Sequence, residues 1–150
     1  MIVRKMQPNE IDAVILLTRY YAQDAELTEE EYDENEVIQT IRLYASNAEY
    51  CLRVAFEGQR PVGLIAGCVT KTPWNSTLNA HIDFVFILES HRNLQTFKQL
   101  LDEFEGWARI VNAKEITAGD LGIDPERNQK LYAHYGFKPG MWMEKELTYV

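Results

Sequence analysis

LNAHIDFVFILESHRNLQTFKQLLDEFEGWARIV, residues 78–111, sets two long regular elements end to end. Residues 78–88 alternate as a strand. By two-residue alternation His81, Asp83, Val85 and Ile87 share one face, and Ile82, Phe84, Phe86 and Leu88 form the core face. Residues 94–111 change period: Phe97, Leu100, Leu101, Phe104, Trp107, Ala108 and Val111 recur at helical spacing. EITAG (115–119) then reads as another strand. A strand, a helix and a strand in that order predict a crossover and a parallel pairing.

Upstream, YCLRVAFE (50–57) and VGLIAGCVTK (62–71) also read as strands. Turn signals EGQRP (57–61) and TPWNST (72–77) bound them. Such connections are too short for crossovers, so strands 50–57, 62–71 and 78–88 form an antiparallel meander. Gly63, Ala66 and Gly67 inside a strand point to close backbone contacts or a bulge. IVRKM (2–6) is a first short strand. Pro8 opens a helix whose first turn carries Glu10 and Asp12, where carboxylates suit the dipole. A second helix, 34–46, shows Val37, Ile38, Ile41 and Tyr44 on one face and stops at Asn47. At the other end, 128–135 is a short helix stopped by Gly136. FKPGMWMEKEL (137–147) is a closing strand, broken at Pro139–Gly140. The order β-α-α-β-β-β-α-β-α-β gives an α/β domain with a mixed sheet.

At 150 residues the chain makes one domain, residues 1–150, with a sizeable core. A net charge of −8 argues against a nucleic-acid partner, which needs a basic face. It leaves room for an anionic ligand held by a local basic patch. Much of the acidity lies in residues 24–36, either a solvated loop and helix start or a rim for a cationic acceptor. Cys51 and Cys68 sit in apolar runs and read as buried free thiols, which fits a reducing compartment. No signal peptide or membrane-length apolar run is visible, so the expected location is the cytoplasm, without a membrane partner. Three histidines and two cysteines without ligand spacing give no metal site. There is no Gly-x-Ser-x-Gly and no Walker loop.

Two short stretches carry a family resemblance. HRNLQTFKQLL (91–101) follows a strand and opens a helix. DPERNQKLYAHYGFKPG (124–140) contains Leu131, Tyr132, Gly136 and Phe137 at the spacing Leu-Tyr, three residues, Gly-Phe. With the element order, these resemble the GNAT superfamily of acetyl-coenzyme A-dependent N-acetyltransferases over almost the whole chain. The resemblance implies a mostly antiparallel central sheet flanked by helices on both faces, acetyl-CoA as co-substrate, and an amine-bearing small molecule or protein as acceptor. It places Arg92 at the leading Arg of the pyrophosphate loop, with Asn93, Leu94, Gln95, Thr96, Phe97 and Lys98 following. Gln95 and Phe97 stand where that loop has Gly and Gly or Ala. A helix start offers N–H groups and a positive dipole end to phosphate, and glycine allows close approach. Val85, Phe86 and Ile87 are implied on the strand side, and Asn128 and Lys130 on the last helix. Pro125 stands where the family often has Asn.

The same resemblance makes Tyr132 the candidate general acid, since a tyrosine is a proton donor at neutral pH. The alternative is a core aromatic. His81 and Asp83 fall where family members carry a base or hold the base's water; the alternative is an exposed polar strand face. Two other readings stay open: a catalytically silent GNAT-fold binding protein, favoured by the missing glycines, and an acidic interaction protein acting by charge alone. A homodimer through the aromatic strand around Trp142 is a further expectation.

Overall fold

The computed structural model describes residues 1–119, 121–140 and 143–149. The elements are β1 (Ile2–Arg4), a 3-10 turn (Pro8–Glu10), α1 (Ile11–Asp24), α2 (Glu34–Ser46), β2 (Tyr50–Glu57), β3 (Arg60–Lys71), β4 (Leu78–Ile87), a 3-10 turn (Glu89–His91), α3 (Leu94–Ile110), β5 (Ile116–Ala118) and α4 (Pro125–His134). The strands lie in sequence order, β1-β2-β3-β4-β5. All neighbours are antiparallel except β4 and β5, which run parallel through Ala80↔Ile116, His81↔Thr117 and Ile82↔Ala118. Short turns can join only antiparallel neighbours, and the α3 crossover delivers the one parallel strand.

Helices cover both faces of the sheet. α1 and α2 pack together on one: Tyr21 of α1 lies edge-on to Phe84 and Phe86, and Tyr44 of α2 reaches Asp83. α3 covers the other, with Phe104, Leu100 and Leu101 fully buried. β3 is therefore buried on both faces from Pro61 to Gly67. This matches the sheet and flanking helices that the resemblance implies.

Three expectations change. The alternation along β4 breaks, because Ala66 pairs with Phe84 while Gly67 pairs with Ile82, which leaves Asp83 as the extra residue of a bulge. A bulge re-aims the side chains that follow it. Phe84 and Phe86 thus face the same helices as Asp83, and Val85 and Ile87 do not share Asp83's face. The closing strand is also absent: residues 138–140 and 143–149 form no strand. Pro139 cannot donate to a ladder, and Met143, Leu147 and Tyr149 stay exposed without a face to bury. Trp142, on which the dimer expectation rested, lies outside the described residues. Finally, Cys68 is only half-buried, since it sits near the end of β3 where the sheet opens; Cys51 is buried as expected, and both thiols are free.

Burial lifts both thiols from their ordinary value of 9 to about 11, with Asp83 adding to the effect at Cys68. Burial, then the hydrogen bond to Asp83, pushes Tyr44 up as well. Groups that hold protons more tightly when folded stabilise the fold below their ordinary value and lose that contribution as pH rises through the folded one. The urea midpoint is therefore expected to fall between pH 9 and 11. In a Cys51→Ala variant the fall should be shallower, and an unchanged slope would refute the burial argument.

Candidate active site

The sheet splits at the bulge. β5 ends at Ala118, opposite Ile82, while β4 continues to Ile87. Among the described residues, no strand pairs with that side of β4 from Asp83 onward. A cleft of about 700 Å³ runs along this edge. Phe84 to Ile87 form one wall, Arg92 to Leu94 and Phe97 one end, and Leu121 to Asp124 with α4 the other wall. A second cleft, about 840 Å³, opens on the β5 side and includes His81 and Thr117. Tyr132 lines both.

The structure brings together most of the implied ligand-binding residues. Val85, Phe86, Ile87, Arg92, Asn93, Leu94, Phe97, Asn128, Lys130 and Tyr132 all line the first cleft. Gln95, Thr96 and Lys98 do not. Thr96 is buried and donates its hydroxyl to Asn93 Oδ1. Lys98 turns along its own helix to Asp102, at 2.6 Å. Phe97, in the glycine position, is also buried. Its ring lies edge-on to Tyr132 at 5.2 Å and tilted on Tyr135 at 5.7 Å, so it locks α3 to α4 rather than projecting into the loop.

Several of these groups are already engaged. Asn93 caps α3, its side chain accepting Thr96 N–H at 2.9 Å. The N–H groups of Leu94 and Gln95, the first two of the helix, have no carbonyl one turn back. Asn128 Nδ2 donates to Leu121 O at 2.5 Å and so ties the cleft wall to α4. Arg92 donates to Ile87 O at 2.7 Å and to Asp24 at 2.9 Å.

The polar cluster lies at the bulge. Tyr44 Oη donates to Asp83 Oδ2 at 2.6 Å, and Cys68 Sγ stands 4.0 Å from Oδ1. His81 Nε2 is 3.8 Å from the same oxygen, and His81 Nδ1 shares a hydrogen bond with Thr117 Oγ1 at 2.6 Å. Gly119 makes room for the imidazole, since a Cβ there would stand 3.1 Å from its Cε1 and Nε2. A carboxylate and an imidazole this close, both partly open to solvent, can hold and pass a proton.

Sequence reasoning missed Tyr21, Tyr44 as a donor, Thr117 and Arg127. Arg127 was legible: with Lys130 and His134 it makes an i, i+3, i+7 basic stripe on α4, and all three line the first cleft. Tyr44 was not, because its ring belongs to the apolar face of α2 and stacks on Tyr50 at 4.7 Å.

The sheet is thus opened at one strand, and a cleft with basic residues on one side leads to a buried tyrosine. The Acetyltransferase (GNAT) family matches residues 15–137, and the chain belongs to it. Among solved structures it is similar to a probable acetyltransferase, with 15% identity, 100% of this chain and 98% of that one covered, and a TM-score of 0.79. It is also similar to aminoglycoside N-acetyltransferase AAC(6')-Iy in complex with the bisubstrate analogue CoA-S-monomethyl-acetylneamine (13%, 99% and 98%, TM-score 0.80). A third is a ribosomal-protein-alanine N-acetyltransferase from Brucella melitensis biovar Abortus 2308 (15%, 99% and 100%, TM-score 0.75). At these identities the likeness shows the fold. No curated protein matches the chain significantly in sequence.

Proposed function

We propose that this chain moves an acetyl group from acetyl-CoA to a primary amine by direct transfer. The observation that supports this best is the cleft itself. An unpaired strand edge on one side and Arg127, Lys130 and His134 on the other suit a long, polyanionic, amide-bearing ligand. The basic stripe does this in a chain of net charge −8. The two amides at the start of α3 and Arg92 would face the pyrophosphate. His81 beside Asp83 takes the proton of the acceptor's ammonium group, directly or through a water. The amine nitrogen attacks the thioester carbon, a C–N bond forms and the C–S bond breaks. Backbone N–H groups of β4 polarise the carbonyl, Tyr132 gives its proton to the leaving thiolate, and the second proton that the nitrogen sheds on becoming an amide returns through water to Tyr132. The acceptors named for the similar structures, an aminoglycoside and a protein's alanine, are both amines. The acidic segment 24–36 suits a cationic acceptor here, and we place the reaction in the cytoplasm.

A second reading is a silent binding protein. It is favoured by the engaged state of Asn93 and Arg92 and by the absent glycines.

The test is the melting temperature with acetyl-CoA at 100 times its dissociation constant. Binding should add about 2.7 kcal/mol, a rise of several degrees for a domain of this size. Arg92→Ala should reduce the rise. No shift in the unaltered protein would defeat the proposal; a shift without thiol release across a panel of amines would favour the silent reading.

A further inference from the structure

Arg92 is the basic residue at the α3 end of the cleft, and two other residues of the chain already accept from its donors. Its Nε donates to Ile87 O at 2.7 Å, its Nη2 to Asp24 Oδ2 at 2.9 Å, and its guanidinium lies 5.5 Å from the centre of the Phe86 ring. The Nη2 donor held by Asp24 is of the kind that a phosphate oxygen accepts from, since guanidinium presents its N–H groups as a fixed fork.

Asp24 is poorly placed for its own helix. It is the last residue of α1, where a carboxylate meets the negative end of the dipole. Its location is nonetheless fixed. Just beyond it the chain folds back, with Ala25, Glu26 and Leu27 N–H groups bonded to Tyr21, Gln23 and Ala22 carbonyls. Glu26 takes a left-handed φ of 53°, a conformation uncommon outside glycine. This corner lies near the start of the acidic segment 24–36.

We propose that Asp24 is a resident anion on Arg92, which a phosphate-bearing ligand must displace. The inference rests on the functional reading above. Displacement frees a carboxylate at the head of the acidic segment only after the anionic donor is bound.

Calorimetric titration with CoA tests this on wild type, Asp24→Asn, Arg92→Ala and the double variant. Asp24→Asn should bind CoA about two- to fivefold more tightly, the range expected for a partly exposed ion pair. In the Arg92→Ala background the same change should have no effect. Glu26→Gln, the same charge change two residues on, should leave affinity unchanged. An equal gain without Arg92, or an equal gain from Glu26→Gln, would mean a general field effect and overturn the proposal. Unaltered affinity in Asp24→Asn would overturn it too, leaving the functional reading intact. A wild-type chain that ignores CoA is the distinct result that removes that reading and this inference together.

Discussion

Alanine at position 67 is expected to destabilise the protein by about 3 kcal/mol, the upper end for overpacking. A Cβ on Gly67 would stand 2.2 Å from His81 O and 2.5 Å from the Phe104 ring. The first obstacle is backbone at the bulge and the second is the centre of α3's buried face, so neither yields by a simple rotamer change. The control is Gly106→Ala in α3, where a Cβ meets nothing within 4 Å. There the helix gains about 0.5–1 kcal/mol. Urea unfolding of the two variants should therefore move in opposite directions. A Gly67→Ala protein as stable as the parent would mean that β3 and β4 do not approach as described. Because the same bulge aims Asp83, this variant should also lose any His81–Asp83 chemistry.

Tyr132→Phe should lower turnover about a hundredfold or more, the usual contribution of a positioned proton donor. The fold should tolerate it. Tyr132 is 5% exposed, and its ring contacts with Phe97 at 5.2 Å and Phe137 at 5.0 Å need no hydroxyl. Thiol release from acetyl-CoA, with the best amine of a panel, would show kcat reduced and KM for acetyl-CoA little changed. That pattern marks an interaction made in the transition state alone. Unreduced turnover would return Tyr132 to the role of a core ring.

Much of the fold was legible in the sequence because the elements are locally consistent. The period of α3, the short turns of the meander and Gly136, with its φ of 92°, each depend on neighbours in the chain. The bulge was only half legible. Small residues in β3 signalled it, yet the extra residue falls in β4, where Asp83 breaks an otherwise regular alternation. Its position depends on Phe104, 37 residues beyond Gly67 and across the sheet. The closing segment misled because a strand needs a face to bury, and residues 143–149 bury none. In the candidate site, motif spacing singled out Tyr132 and Arg92, which line one cleft, but no spacing could show what they touch. Tyr44 with Asp83 and Asp24 with Arg92 are separated by 39 and 68 residues and meet only through tertiary packing.

The gap between β4 and β5 also bears on how long such a molecule survives. A strand edge without a partner is a weak seam, prone to local opening and to pairing with foreign strands. Under the proposed function, a ligand lying along it would act as a missing strand and close the seam while bound. Protease resistance should then follow the supply of that ligand. Under the proposed function, the open form would be cut first in a starved cell, so abundance of the protein would rise and fall with its acyl donor.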